Sequence, residues 1–323
     1  MNRRERVFAA MQGQPVDRPP VGFWLHFPKD KHHGDAAVRT HLEFMRQTGT
    51  DILKVMNENI LYDGTSKILS TADIPKFRPY GRHDRQFVDQ MDIIKRIAEQ
   101  AKGEYPIIAT IHGLLASIFH ATGFSGNFTS MGYGLAIFCR EKPAEMRGVL
   151  DMFTETLMDL VDCSLEAGAD GIFYAALGGE AKWFLHDEYM ETVAPFEQLL
   201  YAHIKEKTPY NILHICKSDI DFERYTQLEP AVVNWSIYQN HLSLTEGQKL
   251  FPNSVILGGF PDRTGVLVTG TPAEILDHTR HVLEEMNYRN IIVGSDCTLP
   301  TGIDPARIRH VVDSVYMLTS KVE

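Results

Sequence analysis

Short, continuous apolar runs recur along the chain, separated by amphipathic segments. The runs are Pro20–Phe27, Asp51–Asn57, Pro106–Gly113, Ala169–Ala176, Asn211–Cys216, Ala231–Tyr238, Ser254–Phe260 and Asn290–Cys297. Most are rich in Val, Ile and Leu without alternation, the pattern of parallel strands covered on both faces. The segments Ala36–Thr48, Gln86–Lys102, Ala144–Ala167, Asp187–Lys207, Leu244–Leu250 and Pro272–Asn287 lie between them, and Pro305–Leu318 follows the last run. Their apolar residues recur at helical spacing. Thr271-Pro272-Ala273-Glu274 and Asp304-Pro305 each set a capping residue before a proline, which marks a helix start.

Eight strands, each followed by a helix, predict an α/β fold, a single (β/α)8 TIM barrel spanning residues 1–323. Arg3–Met11 reads as an additional N-terminal helix and Tyr62–Arg85 as an extended insertion. No internal repeat or Gly/Ser linker marks a second domain. An open doubly wound sheet is the competing fold, but neither a G-x-G-x-x-G fingerprint nor a Walker loop is present.

Composition narrows the function classes. Hydrophobic content of 44% with 23% charged residues suits a globular protein with ample core. A net charge of −10 argues against a general nucleic-acid binder. The mixed run Lys29-Asp30-Lys31-His32-His33 reads as a solvated loop. No stretch has the length of a membrane span or the apolar core of a signal peptide. Four cysteines in a chain of 323 residues make no disulfide framework, and free thiols predict a cytoplasmic location. Cys139 and Cys163 fall in helix-like segments and read as packing residues.

A barrel gathers the polar residues at the C-terminal ends of its strands at one mouth. Here these are His26, Asn57, Glu58, His112, Tyr174, His214, Cys216, Asn234, Trp235, Asp296 and Cys297. His214 and Cys216 stand two apart on one strand, so they share a face. A lone His-x-Cys is a common pairing, but Cys297 ends another strand in a matching position. One imidazole and two thiols leave an open position on a tetrahedral zinc, as catalytic sites do. Water, substrate or a carboxylate can fill that position, and Glu180, just past the fourth strand, is the carboxylate of choice. Asp296 alternates away from Cys297 and reads as a structural or outer partner. His112 and Glu58 are the candidates for acid–base work. Tyr174, Trp183, Trp235 and Tyr238 read as core, and Gly258-Gly259 is poor evidence for a phosphate loop.

The opening Arg3-Arg4-Glu5-Arg6-Val7-Phe8-Ala9-Ala10-Met11 through Pro15-Val16-Asp17-Arg18-Pro19-Pro20-Val21 resembles the first helix and strand entry of the uroporphyrinogen decarboxylase superfamily, as Gly168-Ala169-Asp170-Gly171 resembles its entry to strand four. Within it, His214-Ile215-Cys216 and Cys297 are similar to the zinc motif of the corrinoid-dependent methyltransferases. That resemblance implies a zinc-dependent methyltransferase moving a methyl group between a corrinoid (cobalamin) protein and a small-molecule thiol, ether, amine or folate. The corrinoid would arrive on a partner protein, with neither nucleic acid nor membrane involved. Lys217 stands where those enzymes commonly have Gly. The alternative is a decarboxylase-like lyase acting on a carboxylated substrate without zinc. Against it, Gly22-Phe23-Trp24-Leu25-His26-Phe27-Pro28 lacks the arginines of the decarboxylase, and Asp51 stands at its strand's start rather than at the mouth.

Overall fold

Seven of the eight apolar runs form strands: β1 (Leu53–Val55), β2 (Ile107–His112), β3 (Gly171–Ala176), β4 (Asn211–Ile215), β5 (Val232–Trp235), β6 (Val255–Phe260) and β7 (Ile291–Ser295). The structure, a computed structural model, describes residues 1–126 and 128–320, and for 128–131 the backbone alone. The strands pair in chain order, every pair parallel, in one seven-stranded sheet. Helices connect them, as parallel crossovers require. Nearly every strand position is buried, which accounts for the continuous apolar runs.

The first run, Pro20–Phe27, departs from the expected eighth strand. It makes two isolated parallel bridges, Val21 to Val293 and Leu25 to Leu299, rather than a ladder. The reason lies in its backbone donors and acceptors. Pro20 has no amide hydrogen, and the Val21 amide is taken by the Asp51 carboxylate at 2.8 Å instead of a neighbouring carbonyl. The segment nonetheless lies along the edge of β7, since Gly22 N donates to Val293 O at 2.9 Å. It also reaches the start of β1, where Asp51 N donates to Val21 O at 2.7 Å.

Alternation along the strands divides the core in two. Ile52, Met56, Ile108, Phe173, Ile212, Leu257 and Ile292 form one buried cluster with Trp24 and with Val7 and Met11 of the helix Arg3–Met11. Their neighbours Leu53, Val55, Ile107, Ile111, Tyr174 and Leu213 face the helices in a second, larger cluster. The first cluster fills the inside of the curl, below the C-terminal strand ends. Cys139 and Cys163 are buried in the second, as packing residues.

The helices follow their caps. Thr271 and Glu274 form a reciprocal capping box on Pro272–Glu285, and the Asp304 side chain accepts from Ala306 N at 2.9 Å to start Pro305–Thr319. The expected helix Asp187–Lys207 is two helices, His186–Thr192 and Ala194–Lys207, because Pro195 at the start of the second cannot donate to the first. Helices Leu114–Ala121 and Phe128–Glu141 were not legible in the pattern, and Tyr62–Arg85 holds a short 3-10 turn, Thr71–Lys76. Among the described residues no helix is long and apolar enough to cross a membrane.

One buried imidazole in this frame carries a pH prediction. His41 lies 2.8 Å from Ala37 O through Nδ1, and its Nε2 accepts from Met56 N at 3.0 Å. Only a neutral ring can donate at one nitrogen and accept at the other. Burial pushes its pKa down from 6.5 to about 4, and burial also brings His120 to about 4. A depressed folded-state pKa stabilises the fold above the unfolded value and loses that contribution on acidification. Urea midpoints should therefore fall as pH drops from 6.5 towards 4, and His41→Asn should flatten that dependence.

Candidate metal centre

β4 presents His214 towards the inside of the curl, in register with Ala175 of β3 and Asn234 of β5. Cys216 lies one residue beyond β4 and keeps the ladder going, its amide donating to Ala176 O at 3.1 Å. Cys297 lies two residues beyond β7, in a turn fixed by Ser295 Oγ donating to Cys297 O at 2.6 Å. The imidazole nitrogen and the two sulfurs fall within 4.8 Å of one another. Around a tetrahedral zinc with bonds of roughly 2.0–2.3 Å, ligand atoms sit about 3.3–3.8 Å apart, so a small inward closure completes the set. The donors fit zinc by chemistry as well, two soft thiolates and one imidazole.

The tautomer of His214 is determined by its neighbours. Asn234 Nδ2 donates to Leu257 O at 2.8 Å and to Ser295 O at 3.1 Å, which leaves Oδ1 as an acceptor. His214 Nδ1, 2.5 Å from that oxygen, must donate. The Nε2 lone pair is then free to face the thiols. Asn234→Ala should weaken zinc binding by roughly 10–100-fold, the usual cost of losing such a partner, and Asn234→Asp should recover part of it. Competition with a chromophoric chelator reads both.

The thiols are electrostatically unequal. Cys216 donates its S–H to Cys297, which holds the Cys297 thiol well below its ordinary range and, with burial, pushes Cys216 well above it. A divalent ion taken up by the two sulfurs would release their protons.

The remaining mouth residues fall into two groups. Glu180 is buried just past β3, and its carboxylate accepts from Gly178 N at 3.3 Å. Burial raises its pKa to about 7, and its charge is felt at Cys216, but it is outside the group of three ligand atoms. Asp296 turns away from Cys297, as alternation predicts, and accepts from Ser236 Oγ at 3.3 Å and Tyr238 N at 3.2 Å. Glu58 and His112 stand at the ends of β1 and β2, with other imidazoles. His26 Nδ1 lies 2.6 Å from Glu58 Oε1, and His32 Nδ1 lies 3.8 Å from Oε2. Burial raises the Glu58 pKa, but the His26 hydrogen bond and the charges of His26, His32 and Lys54 outweigh it and leave the group lowered. His112 packs edge-on against His120 at 4.8 Å, and burial holds its pKa well below 6.5. Gly113 must be glycine here, since a Cβ would lie 2.8 Å from Ala175 O on the adjacent strand. Tyr174, Trp183 and Trp235 are core residues, whereas Tyr238 is exposed.

Sequence reasoning overlooked Lys54. It sits in the middle of β1 with its side chain inside the curl, where its Nζ is 4.2 Å from the centre of the Phe173 ring. The period-2 rule, applied to Ile52, Lys54 and Met56 together, would have found it.

A parallel sheet curled around a core, with its polar side chains at the C-terminal strand ends, defines an α/β scaffold of the barrel type. The chain belongs to the uroporphyrinogen decarboxylase (URO-D) family, which matches residues 63–318. It is similar to a methylcobamide:CoM methyltransferase, MtbA of Methanosarcina acetivorans, with 20% identity over 87% of this chain and 88% of that protein. In fold it is similar to a methyltransferase from Methanosarcina mazei, with a TM-score of 0.78 and 15% identity over 98% of this chain and 99% of that one. It is also similar to a B12-independent methionine synthase from Shewanella sp. W3-18-1, with a TM-score of 0.63 and 12% identity over 94% and 99% of the two chains.

Proposed function

We propose that this protein is a zinc-dependent methyltransferase that moves a methyl group between a corrinoid protein and a small-molecule thiol, ether, amine or folate. The observation that carries the reading is the convergence of His214, Cys216 and Cys297 within 4.8 Å at the C-terminal end of the sheet. The similarity to a methylcobamide:CoM methyltransferase supports it.

In this reading His214, Cys216 and Cys297 hold the ion, and Asn234 keeps the His214 lone pair directed at it. Zinc bound there supplies Lewis acidity, which lowers the pKa of a bound thiol or polarises a bound ether oxygen. The fourth position belongs to the substrate, with Glu180 or water as its occupant between turnovers. Glu58 and His112 would work from the β1–β2 side of the mouth, where His26 holds Glu58 as an acceptor and burial keeps His112 neutral. Those two states suit groups that position a polar substrate and accept its proton. The corrinoid would be delivered by a partner protein at the same mouth.

Two measurements test this together, zinc per chain by elemental analysis and methyl transfer from methylcobalamin to 2-mercaptoethanol, followed by the corrinoid spectrum. About one zinc per chain and a zinc-dependent spectral change are expected, since one three-ligand site is proposed. Protein that takes up no zinc after reduction and reconstitution would refute the reading. A lyase acting on a carboxylated substrate would then be the better account of this family member.

A further inference from the structure

The four cysteines of this chain divide by exposure. Cys139 and Cys163 are buried in the helical layer, while Cys216 and Cys297 are half-buried at the mouth. The two reachable thiols are also the two that converge, their sulfurs within 4.8 Å of each other. Neither belongs to the buried apolar clusters. A thiol that is accessible and stands beside a second thiol is the kind that oxidises reversibly, because the neighbour resolves the first oxidation product.

The backbone assigns the approach to one side. The Cys216 amide donates to Ala176 O at 3.1 Å, which holds that residue in the ladder of the sheet. Cys297 lies in a turn two residues past β7, where its carbonyl accepts from Ser295 Oγ. A disulfide brings two sulfurs to about 2.0 Å, closer than a shared zinc does, so the further closure falls on the Cys297 turn. His214 stands third in the group. Its Nδ1 donates to Asn234, which leaves Nε2 as a base beside the thiols.

We propose that Cys216 and Cys297 form a reversible disulfide when a peroxide reaches the metal-free centre, so that metal and disulfide are alternative states of one pair of sulfurs. The exclusion of metal rests on the metal reading above, and the disulfide itself does not. One sulfur, as its thiolate, attacks a peroxide oxygen. An S–O bond forms, the O–O bond breaks, and the departing oxygen takes a proton and leaves as water. The second sulfur then attacks the sulfenic sulfur. The S–S bond forms, the S–O bond breaks, and the hydroxyl leaves as water with the remaining thiol proton. The two thiols lose two electrons and the peroxide gains them. The new bond ties the end of β4 to the end of β7 across β5 and β6. It leaves His214 as the one free donor of the three, too few for a zinc site.

The test uses the full chain, metal-free and zinc-loaded, with limiting hydrogen peroxide as the probe. Thiol titration after denaturation, intact mass and peptide mapping read the outcome without any activity assay. Metal-free wild type should lose two of its four thiols, weigh two hydrogens less and show a cross-link between the peptides of Cys216 and Cys297. It should then take up no zinc until dithiothreitol restores the thiols. Zinc-loaded protein should keep all four thiols at the same dose. The double variant Cys139→Ser with Cys163→Ser should behave as wild type, whereas Cys297→Ala should gain oxygen without the cross-link. Oxygen gained without a cross-link in metal-free wild type, a cross-link through Cys139 or Cys163, or one that dithiothreitol fails to reverse would overturn the proposal. Equal thiol loss in protein shown to hold zinc would overturn the exclusion of one state by the other. A reversible cross-link between Cys216 and Cys297 in a chain that binds no zinc when reduced would sink the metal reading and leave the disulfide standing.

Discussion

Cys216→Ala and Cys297→Ala are each expected to abolish tight zinc binding and, with it, methyl transfer. Each thiolate is a direct ligand in the proposed centre, so its loss should exceed the roughly 10–100-fold cost of an outer partner such as Asn234. The fold should survive in both, because neither side chain belongs to the buried apolar clusters. Cys139→Ser and Cys163→Ser are the controls. They are buried in the helical layer, where burial pushes both thiols up, to about 12 and about 11, and should leave the metal content unchanged. Zinc per chain across the four variants separates ligands from packing residues. Full zinc in Cys297→Ala would remove β7 from the centre.

Asp51→Ala is expected to be the most damaging single change to stability. The carboxylate is fully buried and accepts from Arg6 at 3.0 Å, from Arg18 at 2.8 Å through each of two nitrogens, and from the Val21 amide at 2.8 Å. Its removal leaves the buried Arg18 guanidinium without a carboxylate and the Val21 amide without an acceptor, while Arg6 keeps its pair with Asp17 at 2.7 Å. Breaking a buried pair in this way costs about 3–5 kcal/mol. Asp51→Asn should cost less, since it keeps an acceptor for Val21 while losing the charge. Denaturant unfolding of the metal-free protein measures both, so that zinc does not mask the difference. A loss under about 1 kcal/mol for Asp51→Ala, the range of exposed pairs, would show that the clasp is not what fastens the first segment to the sheet.

Asp51 also shows what the sequence could and could not convey. Its position at a strand's start, rather than at the mouth, is readable from the run Asp51–Asn57, but its two arginine partners come from residues 6 and 18, and no local pattern pairs them. The strands were legible because burial on both faces removes polar residues from them. His214, Cys216 and Cys297 were legible because their residue types are rare at strand ends and their offsets match. The first run misled because its apolar content resembles a strand, while Pro20 and the Asp51 clasp remove the donors that a ladder needs. Leu114–Ala121 escaped notice for a different reason, being apolar on most sides and so lacking a helical stripe. The pairing of His26 with Glu58 and the role of Asn234 depend on contacts between distant segments of the chain, which spacing does not encode.

The proposed ligands come from β4 and β7, two strands with β5 and β6 between them. A chain that has folded only through β4 carries an imidazole and one thiol, fewer than the three protein ligands of a catalytic zinc site. The third donor arrives after the last strand, once the sheet has curled enough to bring its ends together. In the proposed centre, metal uptake would therefore be a late event, possible only once the last strand has joined the sheet.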